Sequence, residues 1–193
     1  MDASKRIIRQ TRLPKLLARD PFLTDEQLAQ KLKVSVPTIR LDRTCLGIPE
    51  LRERTRLMAE TAQNKLKAIS KKDIVGDLIA LELNKKAIST LTITPDMVLE
   101  KTGVMRGHFM FAMADTLALA LVDAEVALTC VGNVKYRVPV YAGTTLVAKA
   151  EVVNRRKDRF FIHVYIFMRD KQIEVFRAKF IVVALSGERK REA

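Results

Sequence analysis

Arg106-Gly107-His108 stands directly ahead of an apolar run, Phe109 to Val122, interrupted only by Asp115 and Thr116. If that run is a helix, its first amides have no partner within it and its start carries a partial positive charge. Gly107 would let a ligand approach the backbone, and the forked guanidinium of Arg106 matches a carboxylate or phosphate. Together they suit an acyl group ending in a negative charge: an N–H for the carbonyl, the guanidinium for the terminal anion. The plainer alternative is a helix start at Gly107 beside a surface arginine. Asp115 is the second loaded position, because a carboxylate in an apolar helix is costly unless paired, hydrogen-bonded or protonated. It is either a catalytic or ligand-binding group, or an acid hydrogen-bonded across a seam between two copies of the chain. His108 reads as a satisfied histidine at a helix start, and Met105, Met110 and Met113 as core filling.

A second constellation lies between Leu23 and Arg43. Thr24 can cap a helix, with Gln27 as its capping-box partner, and Leu28, Ala29 and Leu32 supply an apolar stripe. Lys33-Val34 is a short turn. Ser35 then caps a second helix with Pro37 in its first turn. Ile39 and Leu46 are expected to face the first helix, while Thr38, Arg40, Asp42 and Arg43 face outward. A tightly turned helix pair with a basic outer face suits the major groove of DNA; the bland alternative is a helical hairpin with a solvated face.

The chain has 193 residues, 48% of them hydrophobic, and a net charge of +13. A pI near 10.0 calls for a polyanionic partner. Residues 1–60 hold thirteen Lys/Arg against eight Asp/Glu, yet the remainder is basic too, so DNA alone does not account for the charge. Cys45 and Cys130 are too few for a disulfide framework and fit a reducing cytoplasm. With only His108 and His163 beside them, no metal site is expected. No secretory segment and no membrane partner are expected either.

These sites need elements to position them. Leu13 to Ala18 reads as a short helix behind a looser basic arm, because Pro14 would kink a longer one. Pro49 opens a helix whose stripe Leu51, Met58, Ala62, Leu66 and Ile69 predicts about five amphipathic turns. Arg52, Arg54 and Arg56 crowd its start, where DNA would lie. From Val75 the pattern turns to strands: Leu78–Leu83, Ala87–Thr94, Ala127–Thr129, Asn133–Tyr136, Thr145–Asn154, Phe160–Arg169 and Glu174–Leu185. Gly132, Pro139, Gly143 and Gly187 punctuate them, and the short connections imply antiparallel neighbours. The run from Gly107 to Val122 is apolar nearly all round and too short and acidic for a bilayer, so it should be buried. A buried helix wrapped by a bent antiparallel sheet is the hot-dog architecture.

Pro21-Phe22-Leu23-Thr24-Asp25-Glu26, Thr38-Ile39-Arg40-Leu41-Asp42-Arg43, Ile48-Pro49-Glu50-Leu51-Arg52-Glu53-Arg54 and Arg106-Gly107-His108, in this order and spacing, resemble the FapR family. Its members are transcriptional repressors of bacterial fatty-acid and phospholipid synthesis. The resemblance runs from Pro21 to Leu185. It implies an α+β chain in which an all-α helix-turn-helix of the DeoR-like, winged-helix class (1–48) is joined by an amphipathic linker helix (49–72) to a thioesterase-like hot-dog domain (73–187), with a basic tail (188–193). It implies a homodimer on an inverted-repeat DNA operator, and malonyl-CoA or malonyl-acyl carrier protein as the effector that releases it, with no cofactor. By the resemblance, Arg106 pairs with the malonyl carboxylate and Gly107 donates its N–H to the thioester. Two departures stand out: Asp115 replaces an asparagine common in the family, and Leu99 an aromatic. The implied effector site is Arg106, Gly107, Leu99 and Asp115, and the implied DNA contacts are Thr38, Arg40, Arg43, Arg52, Arg54 and Arg56. The expectation is a regulator and not an enzyme. The alternative is a hot-dog acyl-CoA thioesterase carrying a DNA-binding domain, in which Asp115 activates water and Gly107 stabilises the oxyanion.

Overall fold

The computed structural model describes residues 3–185, with side chains from residue 5 onward. Gly187 and the expected basic tail lie outside the described residues. The chain divides into two compact units, 1–58 and 59–193, and the division falls inside the helix that follows Pro49.

The first unit is helical: α1 (Ala3–Arg19), α2 (Asp25–Leu32), α3 (Val36–Cys45) and the first half of α4 (Leu51–Gln63). Its core is Leu13, Leu17, Leu23, Leu28, Ala29 and Ile39. Each fully buried leucine or isoleucine contributes about 1.5–3 kcal/mol. The helix expected from Leu13 instead begins at Ala3 and continues through Pro14. A proline inside a helix removes one backbone bond and costs about 3 kcal/mol in isolation. Tertiary anchors on both sides of it offset that: Leu13 and Leu17 are buried, and Arg9 and Gln10 are bonded to Asp42. Thr24 caps α2 as the sequence predicts, its hydroxyl accepting from Gln27 N–H at 3.3 Å while Gln27 Oε1 accepts from Thr24 N–H at 3.0 Å. Lys33 closes α2 in the left-handed region at φ 54°. Three residues later α3 begins.

Ser35 stands at the N-cap of α3, but its hydroxyl meets that of Thr38 at 2.9 Å instead of a backbone amide. Leu46, expected against α2, closes α3 and is exposed. Gly47, at φ 63°, then reverses the chain, and Ile48 N–H returns to Arg43 O at 2.9 Å. The chain enters α4 almost at once, so there is no room for a wing: no strand precedes Asp77 among the described residues. This corrects the winged-helix expectation. The expected long linker helix is also shorter. α4 ends at Gln63, where Lys65 N–H bonds Ala62 O and Leu66 N–H bonds Gln63 O, tightening the last turn. Leu66 and Ile69 therefore lie beyond the helix.

The second unit is a six-stranded antiparallel sheet in the order β1-β2-β4-β5-β6-β3, with β1 (Asp77–Glu82), β2 (Lys86–Thr92), β3 (Val126–Tyr136), β4 (Thr145–Arg156), β5 (Arg159–Met168) and β6 (Glu174–Leu185). Alternate residues point inward, among them Leu146, Ala148 and Ala150 of β4 and Phe160, Ile162, Val164 and Ile166 of β5. They meet α5 (Gly107–Ala120) through Met110, Met113, Ala114, Leu117 and Ala118. The two strands expected at 127–129 and 133–136 form one, β3, with a bulge between Thr129 and Val131. Gly132 does not end that strand. The Phe180 ring occupies the space its side chain would need, coming within 3.0 Å of a built Cβ. α5 is not covered on every side within one chain: Phe111 is 37% exposed, and Asp115 and Leu119 are half-buried.

Candidate functional site

On α3 the periodicity sorts two faces. Ile39, Asp42 and Arg43 are buried, while Pro37, Arg40, Leu41 and Thr44 are exposed. Asp42 and Arg43 thus face inward, contrary to the sequence expectation. Asp42 is 1% exposed and accepts from Arg9 Nη2 at 3.2 Å and Gln10 Nε2 at 2.9 Å, with a closer bond from Arg9 Nε. Burial pushes its carboxyl up, and the bonds from Arg9 and Gln10 outweigh that, holding it below its ordinary value. Arg43 forks onto Asp25 at 2.7 and 2.8 Å and reaches Ile48 O at 3.2 Å. Those bonds hold the Asp25 carboxyl low. An arginine with its donors spent inside the unit is a brace between α2 and α3 and is not presented to a groove.

Arg54 is corrected in the same way. It is buried, donating to Pro49 O at 2.7 Å and Leu23 O at 2.9 Å, and burial lowers its pKa. Of the six expected DNA contacts, Arg40, Arg52 and Arg56 are exposed and Thr38 is half-buried. Arg40 lies 3.5 Å from Asp25 with its side chain 65% exposed, and Arg56 pairs with Glu53 at 2.6 Å. Leu41, on the same outward arc as Arg40, escaped the sequence reading. Its position one turn from Pro37 and from Thr44 was the signal.

In the second unit, the segment ahead of α5 folds back on itself. Val98 bridges Met105, Val104 bridges Tyr141, and Met105 N–H bonds Val140 O at 2.8 Å. This delivers Arg106 to the N-cap of α5, with its own N–H on Met97 O at 2.9 Å. One Nη donates to the backbone carbonyl of Asp96, the guanidinium lies 5.8 Å from the Phe109 ring centre, and Nε is buried without a partner. Among the described residues Arg106 has no ion-pair partner. Asp96 is held low chiefly by the Thr94 hydroxyl and backbone, with only a lesser contribution from Arg106. The arrangement is a fixed, half-buried cation beside the N-terminal amides of an apolar helix, which is an anion site in chemical terms.

Tyr136 completes it and was not anticipated. Its hydroxyl donates to Gly107 O at 3.1 Å, and its ring would meet a Cβ on Gly107 at 3.0 Å. A larger residue at Gly107 would press on the Tyr136 ring, which would have to give by a few tenths of an ångström. Leu99 is exposed and begins the loop that ends at Arg106, its backbone closing the turn with Gly103 at 2.7 Å. Asp115 is not brought to the Arg106–Gly107 corner. It lies eight residues along α5 from Gly107, roughly 12 Å at the helical rise. One of its oxygens accepts from the Thr129 hydroxyl of the same chain at 2.6 Å. No group of three His, Cys, Asp or Glu able to hold a metal occurs among the described residues. Nor is any described helix long and apolar enough to cross a membrane.

Fold and site define a two-unit chain: a helical unit whose α3 presents Arg40 outward, and a hot-dog unit with an anion corner. No model of a protein family matches the sequence. Solved structures share the hot-dog fold, among them Cj0977, a sigma28-regulated virulence protein from Campylobacter jejuni (TM-score 0.61, 20% identity, 67% of this chain and 92% of that one). The PH1136 protein of Pyrococcus horikoshii gives 0.55 at 24% identity, over 60% and 87% of the two chains. Curated relatives cover both units. Transcription factor FapR of Caldanaerobacter subterraneus is 49% identical over 180 residues, 93% of this chain and 89% of the relative. That of Thermoanaerobacter sp. is 46% identical over 183 residues, 95% and 90%. The chain belongs to the FapR family: it is a transcriptional repressor of fatty-acid synthesis.

Proposed function

We propose that malonyl-CoA binds at the Arg106–Gly107 corner and releases the repressor from an inverted-repeat operator. The observation that supports it is the state of Arg106: half-buried, oriented by Met97 and the Asp96 carbonyl, with a buried Nε still lacking an acceptor. A malonyl carboxylate supplies the counter-charge that Arg106 lacks; a charge-assisted bond of this kind is roughly twice as strong as a neutral one. The first amides of α5 face the thioester carbonyl. Malonyl-acyl carrier protein presents the same acyl end, so it fits the same corner.

The operator is held by two copies of the chain. α3 enters the major groove with Arg40 and Thr38 outward, and Arg52 and Arg56 add phosphate contacts from α4. The stripe of Phe111, Asp115 and Leu119 left open on α5 is the surface on which two hot-dog units pair. A ligand shifts the equilibrium only by its differential affinity for the operator-bound and free states. The protein acts in the cytoplasm, needs no cofactor, and leaves its ligand intact. Arg106→Ala tests the site. The variant should bind operator normally and stay bound at malonyl-CoA concentrations that release the wild type; release at the wild-type concentration would remove Arg106 from the site.

A further inference from the structure

We infer that Leu41 is a specificity-determining residue that reads the methyl group of a thymine in the major groove. The inference rests on the proposed docking of α3 and deepens it. Pro37, Arg40, Leu41 and Thr44 fall within about 100° of the helix circumference, opposite Ile39, Asp42 and Arg43. Leu41 is 61% exposed there, flanked by a cation that is itself 65% exposed. The core needs nothing from it, since Ile39 already fills the contact with α1 and α2. On the face proposed to enter the groove, Leu41 is the apolar side chain that stands beside the arginine.

Charge selects the occupant: residues 1–60 carry thirteen Lys/Arg against eight Asp/Glu, which favours a polyanion over a neutral protein surface. Within duplex DNA the major-groove edge offers one apolar group, the C5 methyl of thymine. Leu41 is thus matched to an A·T pair next to the base or phosphate taken by Arg40.

The test uses the full-length protein and a duplex selected by it from a random pool. Each thymine of the selected site is replaced in turn by deoxyuracil, which lacks only the methyl. The wild type should lose about three- to ten-fold in affinity at one thymine per half-site, the scale of one buried methyl group. Leu41→Ala should lose a similar factor on the thymine duplex and nothing further on the uracil duplex. Circular dichroism should show it folded, because the side chain is mostly in water. If Leu41→Ala is as sensitive to uracil as the wild type, or if no thymine matters to the wild type, the inference fails. It also fails if the variant loses self-association instead of affinity. Arg40→Ala separates the two levels: if it too leaves affinity unchanged, the docking of α3 itself is wrong; if it weakens binding while Leu41→Ala does not, only the methyl reading falls.

Discussion

Replacing Asp42 by alanine should cripple the helical unit, although the sequence places this residue on an outward face. Asp42 is 1% exposed and takes two bonds from Arg9 and one from Gln10, tying α3 to α1. Alanine removes every one of those acceptors and leaves the Arg9 guanidinium, 14% exposed, without its anion. Breaking a buried pair from one side costs about 3–5 kcal/mol; Arg9 retains some access to water, which puts the expected loss near the lower end, about 3 kcal/mol. A unit of this size holds only roughly 3–9 kcal/mol in all, at about 0.05–0.15 kcal/mol per residue. Urea unfolding followed by far-UV circular dichroism reads the helical unit, and its midpoint should fall by about 1–3 M at the usual slopes. The pH dependence follows from the same contacts. Asp42 and Asp25 both sit below their ordinary values when folded. Their stabilisation is therefore complete above the unfolded value, near 4, and is lost as pH falls through it toward the folded values. The wild type should weaken steeply in acid, and Asp42→Ala should show a shallower slope. A midpoint shift below about 0.3 M would refute the claim that this network holds the unit together.

Other outcomes separate structure from recognition. Arg43→Ala should destabilise the helical unit by breaking the Asp25 fork, whereas Arg40→Ala should leave stability alone and weaken DNA binding, reducing the salt slope by about one if it contacts a phosphate; equal stability of the two variants would contradict the assignment. Sedimentation should give a dimer at micromolar concentration, and a monomer would leave the open stripe on α5 unexplained. Incubation with malonyl-CoA should release no free thiol over many turnovers. Catalytic release abolished by Asp115→Asn would establish the thioesterase alternative.

Local chemistry was legible where it is decided locally. The capping box at Thr24, the strand alternation from Asp77 onward and the apolar run after Gly107 each follow from spacing within a few residues, and the structure has all three. The placement of Arg106 and Gly107 at the start of α5 was legible because they are adjacent in sequence and head the apolar run. What failed depends on residues far along the chain. Pro14 argues for a short helix until Asp42, 32 residues from Gln10, is found bonded to it. Arg43 and Arg54 look like surface cations until Asp25, Ile48, Pro49 and Leu23 supply acceptors that only the folded unit brings near. Tyr136 could not be joined to Gly107 from sequence, because β3 reaches the start of α5 only through the wrap of the sheet. The missing wing reflects the tight reversal at Gly47, which leaves only a few residues before α4.

The central claim, that an anionic acyl end is read by Arg106 and thereby controls DNA binding, is tested most directly by titrating the protein–operator complex with malonyl-CoA and, in parallel, with acetyl-CoA. The two differ at the acyl terminus by one carboxylate. Malonyl-CoA should dissociate the complex at concentrations at least tenfold lower, the separation expected when a partly desolvated guanidinium gains or lacks its anion. Equal release by both ligands, or release by neither, would contradict the account.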